Sequence, residues 1–248
     1  CKSDSAQVQV STVPNPVPFF SFVDERICLG TDLVIDSVGP AGMEYRWVLK
    51  DALQSTVVWV QNYSTTSNPG TGLQGNLINT GTTTRIYDLK LITRVGGPGG
   101  CLDSLEKRIW LYPRPVAAFD SIANTCSDTT ISVLDQSGLT AQRQYQLYAR
   151  INGQWFERPS RLTGASTATP ILNFSSWNFG ANATDSTYTL KLTVLSDSLC
   201  ADSTLQSFTV YSRPSVAIDS LAPQCGPFGA TLTANVLTPI GRNLSYLW

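Results

Sequence analysis

The sequence predicts an all-β chain in which one antiparallel β-sandwich of about 99 residues is repeated end to end. Two observations carry this prediction. A cysteine opens the same phrase three times, as Cys1-Lys2-Ser3-Asp4-Ser5, Cys101-Leu102-Asp103-Ser104 and Cys200-Ala201-Asp202-Ser203. A second series follows at Cys28, Cys126 and Cys225, and both series advance by 98 to 100 residues. Between them run short segments of period-two alternation, broken by Gly, Pro, Asn and Asp, and no stretch has a helical period.

Proline-bearing junctions at Val13-Pro14-Asn15-Pro16, Tyr112-Pro113-Arg114-Pro115 and Tyr211-Ser212-Arg213-Pro214 set the boundaries. They give two whole units, 16–114 and 115–213. The last strand of a preceding unit (1–15) and the start of a further one (214–248) flank them. A unit of this length can bury a core of its own. The first unit reads as strands at 19–23, 32–37, 44–50, 56–61, 75–79, 85–93 and 106–112. The second reads as strands at 116–120, 129–134, 144–151, 154–157, 171–178, 187–194 and 204–211, with Asn152-Gly153 as a hairpin turn. Seven short strands in about 100 residues predict an immunoglobulin-like antiparallel sandwich. Tyr87 and Tyr188 open matching strands, where that fold places a tyrosine that pins the preceding corner. Trp47 and Trp248 fall where the core aromatic of the third strand belongs, and Tyr148 is the nearest candidate in the second unit.

In such a sandwich the loop before the last strand and the turn between the first two strands lie at opposite ends. Cys101 and Cys200 take the first position, and Cys28 and Cys126 the second. Strands of this length separate the ends by about 25–30 Å, whereas a disulfide needs Cα atoms within about 7 Å. Head-to-tail stacking favours an interdomain bridge, Cys28 with Cys200, with Cys1, Cys101, Cys126 and Cys225 pairing with repeats outside the chain. An intradomain bridge with slightly different strand limits stays open. The cysteine pattern points to an oxidising, extracellular setting. Cys1, followed by polar and acidic residues, also fits a bacterial lipoprotein anchor, but its copies at 101 and 200 favour a repeated turn. With prolines at the joints and no Gly/Ser tract, the array is expected to be stiff.

Composition excludes several function classes. A net charge of -1 with 14% charged residues gives no handle on nucleic acid or an anionic membrane. No apolar run is long enough to span a bilayer. His is absent, so no Ser-His or Cys-His pair and no imidazole metal site can form. Gly96-Gly97-Pro98-Gly99-Gly100 joins two strands and precedes no helix, so it is not a phosphate loop. The expectation is a non-enzyme without cofactor or metal.

The run 101–119, Cys-Leu-Asp-Ser-Leu-Glu-Lys-Arg-Ile-Trp-Leu-Tyr-Pro-Arg-Pro-Val-Ala-Ala-Phe, resembles the junction between tandem PKD-like domains. Such domains occur in very large surface and gliding-associated proteins of Bacteroidetes, and the resemblance covers essentially the whole chain. The Trp-x-Phe-Gly signature of those domains occurs only as Trp177-Asn178-Phe179-Gly180, before the sixth strand and not on the third, a coincidental match. The resemblance implies a secreted, non-enzymatic array at a bacterial cell surface, exported by the type IX route. Its work would be adhesion or gliding motility, with further repeats or copies of the same protein, surface polysaccharide or other cells as partners. The alternative is a carbohydrate-binding accessory module of a secreted enzyme.

Two smaller patterns remain. Nine of the 14 Asp precede Ser or Thr, against about three by chance, and each triplet ends in Ala, Val, Leu, Ile or Thr. That resembles the Bacteroidetes O-glycosylation sequon, with Ser5, Ser37, Ser104, Ser121, Thr129, Ser186, Ser198, Ser203 and Ser220 as acceptors. Turn chemistry is the competing explanation. Trp59 and Trp155, 31 and 29 residues beyond their respective cysteines, fall at matching places on a short edge strand. They are candidates for a repeated ligand or partner contact, or for a cover over the core edge.

Overall fold

The computed structural model describes residues 7–9, 12–39, 42–174, 185–212, 215–220, 223, 225–227, 229–237 and 245. Cys1, Ser5, Trp248 and the run from Trp177 to Gly180 lie outside them. The chain divides into two compact units, Cys1–Arg114 and Pro115–Trp248.

In the first unit, β1 (Phe19–Phe22) pairs antiparallel with β3 (Ile35–Gly39) as a two-stranded sheet. The facing sheet runs in the order β2 (Arg26–Cys28), β7 (Cys101–Tyr112), β6 (Arg85–Val95), β4 (Glu44–Asp51) and β5 (Thr56–Ser64). Its pairs are antiparallel except β2 with β7, which is parallel. Alternate residues of three neighbouring strands point inward: Tyr45, Trp47 and Leu49; Tyr87, Leu89 and Leu91; Ile109 and Leu111. They close a core with Phe20, Leu33, Leu73 and Leu77. Phe20 meets the Trp47 ring edge-on at 5.0 Å, and the Trp47 indole donates to the Ser67 carbonyl at 2.9 Å.

The second unit repeats this plan. Its larger sheet is ordered β11 (Gln154–Glu157), β10 (Gln142–Ile151), β14 (Ser186–Leu195), β15 (Ala201–Tyr211) and β8 (Thr125–Cys126), again with the last pair parallel. The facing sheet is β12 (Leu162–Thr163), β13 (Ile171–Asn173) and β9 (Thr130–Ser132). Tyr145, Leu147, Tyr188, Leu190, Leu192, Phe208 and Val210 fill the core. Asn152 and Gly153, at φ 49° and 83°, make the tight turn of the β10–β11 hairpin. Beyond it, β16 (Ser215–Ile218) pairs antiparallel with β17 (Ala234–Leu237). Both units are therefore antiparallel, immunoglobulin-like sandwiches.

Four expectations need correction. The strand expected at 75–79 is absent; a short helix, α1 (Thr71–Gln74), ends just before it. The Gln74 side-chain amide replaces the missing backbone partner, donating to the Leu33 carbonyl at 2.6 Å and accepting from the Leu33 N–H at 3.0 Å. In the second unit the corresponding residue, Ile131, pairs with Leu172 of a true strand. The expected strand at 32–37 consequently begins at Ile35, after the segment held by Gln74. The strand expected at 116–120 reduces to bridges at Val116 and Phe119, because the Ser137 hydroxyl takes the Ala118 N–H at 3.1 Å. Finally, the core aromatic matching Trp47 is Tyr145, not Tyr148. Trp47 and Tyr145 lie four residues before Asp51 and Ala149, which sit opposite Tyr87 and Tyr188 respectively.

Candidate interaction surfaces

The cysteines occupy the two ends of each larger sheet. Cys28 ends β2 and lies beside Tyr112, the last residue of β7, not in a turn as expected. Cys101 opens β7 eleven residues earlier, about 36 Å away at strand rise. The second unit does the same: Cys126 lies beside Tyr211 at the end of β15, and Cys200 directly precedes its first residue. A bridge within either unit is out of reach, because a disulfide tolerates only about 7 Å between Cα atoms. Cys28 and Cys200 are each in the oxidised, disulfide state. Cys101, Cys126 and Cys225 carry free thiols, and the Cys101 thiol donates to the Val13 carbonyl at 3.7 Å.

Local structure explains how the loop-end cysteines are presented. In the first unit a glycine tip, with Gly96 and Gly99 at φ 87° and 86°, turns the chain into Cys101. In the second unit Leu199 takes φ 62°, and its N–H donates to the Ser196 carbonyl at 2.9 Å. The Ser196 hydroxyl accepts from the Cys200 N–H at 3.2 Å. The Asp of the repeated phrase is structural as well. The Asp202 carboxylate accepts from the Ala117 N–H at 2.9 Å and anchors the first segment of its own unit to the last strand.

The two tryptophans do not form a repeated platform. Trp59 lies opposite inward-facing Leu49, is half-buried against the core and touches α1; a Cβ at Gly72 would stand 3.1 Å from its indole nitrogen. Trp155 lies opposite outward-facing Arg150 and is 47% exposed. The registers differ by an odd number of residues, so the two rings leave opposite faces of their sheets.

On the outer face of the second unit, Trp155 and Tyr148 line an open groove of about 400 Å³ with Thr189, Lys191, Leu205 and Ser207. Register brings these residues together, since Tyr148 lies opposite Thr189, Thr189 opposite Ser207, and Lys191 opposite Leu205. The Thr189 and Ser207 hydroxyls are 2.7 Å apart, and the Arg150 guanidinium stands 6.0 Å from the Trp155 ring. Tyr148, Thr189, Lys191, Leu205 and Ser207 were missed as a site. Parity on the strands was the available signal, because Leu205 and Ser207 alternate with buried Phe208 and Val210.

The first unit places different chemistry on its matching face. Asp88 and Arg108 stand where Thr189 and Ser207 do, joined at 2.9 Å. Lys90 and Glu106 stand opposite each other where Lys191 and Leu205 do. Arg94 binds Glu44 at 2.8 Å and lies 3.9 Å over the Tyr63 ring. The bond from Arg94 holds the Glu44 carboxyl below its ordinary range. That face is covered by its own ion pairs.

The candidate acceptor hydroxyls are spread over the surface and do not converge. Ser104, Ser121, Ser203 and Ser220 are exposed, and Thr129, Ser186 and Ser198 are half-buried. Ser37 lies in β3 with its side chain outside the described residues, as is Ser5 altogether. Several of the preceding Asp do local work: Asp103 accepts from the Ser104 N–H, Asp120 from the Gln136 amide, and Asp185 from the Ser212 N–H. Among the described residues no group of His, Cys, Asp and Glu could hold a metal ion, and no helix is long and apolar enough to cross a membrane.

No protein-family model and no curated protein matches the chain. Solved structures with a similar course are remote. Drosophila N-cadherin EC1-4 is 13% identical at a TM-score of 0.29, with 80% of this chain and 50% of that one covered. A 1.5-MDa bacterial ice-binding adhesin is 13% identical at 0.30, covering 82% and 70%. A marsupial T cell receptor is 11% identical at 0.42, covering 82% and 77%. The chain thus spans half the length of the cadherin structure. The immunoglobulin-like assignment stands on the strand order of the two units themselves.

Proposed function

We propose that the chain is a structural segment of a secreted, non-catalytic stalk, filament or adhesin at a bacterial cell surface, used in adhesion or gliding. The supporting observation is the placement of the cysteines: each unit has one at the start of its long last strand and one on the short strand beside that strand's end, too far apart to bridge internally. Such units suit covalent linking in series. Part of the proposal is that Cys28 pairs with Cys200; both are oxidised, while Cys101, Cys126 and Cys225 are free. The free cysteines would then be served by further repeats. Export by the type IX route and O-glycosylation at the Asp-Ser and Asp-Thr sites belong to the same proposal, and the exposure of Ser104 and Ser203 on outer strand positions is compatible with glycosylation.

Electron microscopy of the native full-length protein, on and off the cell, tests this function. Long uniform filaments with an axial repeat on the order of 35–45 Å, the length of an eleven- to thirteen-residue strand, are expected. Short, freely jointed particles would overturn it. The second reading, a carbohydrate-binding module, draws support from the aromatic groove of the second unit.

A further inference from the structure

The outer groove of the second unit is a departure from the repeat. The inward positions of the two larger sheets keep their kind: Tyr87, Leu89 and Leu91 in one unit, Tyr188, Leu190 and Leu192 in the other. The outward positions do not, apart from Lys90 and Lys191, which match. Where the first unit has Lys50, Asp88, Glu106 and Arg108, the second has Tyr148, Thr189, Leu205 and Ser207. Core packing constrains inward positions and not the identity of outward ones, so the change of chemistry on this face is not dictated by the core.

We propose that this groove binds an acidic saccharide, a segment of a hexuronate-bearing polysaccharide. Its volume of about 400 Å³ falls within the ordinary range for small-ligand clefts, about 300–1,000 Å³. The Trp155 and Tyr148 rings offer apolar surfaces with polar tips, which suits the C–H faces of pyranose rings. The Thr189–Ser207 hydroxyl pair satisfies one of its own protons and leaves the other, with lone pairs, for sugar hydroxyls. Of the six lining residues Lys191 is the charged one, and Arg150 stands beside the Trp155 ring. A carboxylate on the sugar supplies the counterion for Lys191. An uncharged saccharide leaves Lys191 without a counterion, and an apolar peptide leaves the hydroxyl pair idle. The groove does not rest on the filament reading, since it lies on one face of one unit.

The test is isothermal titration of the whole 248-residue chain with oligogalacturonate, with oligoglucose of equal length and with polyglutamate as probes. Binding of oligogalacturonate is expected, weakened about tenfold or more by Trp155→Ala, in keeping with loss of a central aromatic anchor. Lys191→Gln is expected to remove most of the preference over oligoglucose. Trp155 and Lys191 lie on the surface, so both variants should keep the parent melting temperature. Three results would overturn the proposal: no binding of oligogalacturonate, binding unchanged in Trp155→Ala, or equal binding of oligoglucose or polyglutamate.

Discussion

Tyr87 and Tyr145 show how differently two buried phenols can stand in homologous cores. The Tyr87 hydroxyl donates to the Ile78 carbonyl at 2.6 Å and accepts from the Ile78 N–H at 3.2 Å, tying down the chain nine residues upstream. The Tyr145 hydroxyl is buried with no partner among the described residues. Tyr87→Phe should therefore cost about 1–2 kcal/mol, whereas Tyr145→Phe should leave stability unchanged or raise it. Denaturant midpoints of the two variants check this. Ionisation extends the contrast. Burial pushes Tyr145 and Tyr188 up to about 12. The second unit's stability should hold below pH 10, where these phenols stay protonated both folded and unfolded. It should then fall as pH rises from 10 towards about 12, where only the unfolded chain ionises them freely. Denaturation midpoints across that range measure the fall, and Tyr188→Phe should flatten it. The pinning role of Tyr87 was legible in the sequence because it opens a strand of strict alternation. The choice between Tyr145 and Tyr148 was not, since an odd shift in register reverses every side chain and only the pairing with β14 fixes it.

At the scale of elements, one glutamine side chain stands in for a strand. Gln74 closes two hydrogen bonds on the Leu33 peptide from the end of a four-residue helix. A helix this short has no stability of its own, and Leu73, 1% exposed, is what seats it on the core. Gln74→Ala should leave the Leu33 N–H and carbonyl without partners and cost about 1–3 kcal/mol. A thermal melt, with hydrogen exchange at the Leu33 amide, checks the value and its location. Gln74→Glu should keep the acceptor and lose the donor, giving an intermediate loss. Sequence patterning located the long strands well, because β4, β6, β10 and β14 alternate across half-buried sheets. It failed at 75–79, where apolar Leu77 and Ile78 imitate a strand while side chains supply the bonds. It also missed the opposite facing of Trp59 and Trp155, since similar distance from a cysteine does not carry register through hairpins of unequal length.

At the scale of the whole molecule, each unit's own geometry forbids an internal bridge. The strand joining the two cysteine positions of a unit is too long for them to meet, in the first unit and again in the second. The cysteine period was plain in the sequence; the parallel pairing that sets Cys28 beside Tyr112 and Cys126 beside Tyr211 was not. A bridge closing so long a loop would stabilise the folded array by about 5 kcal/mol on chain-entropy arithmetic. The most direct measurement is peptide mapping of the unreduced 248-residue chain by mass spectrometry. A peptide pair joining Cys28 to Cys200 is expected. A Cys28–Cys101 or Cys126–Cys200 pair would contradict it.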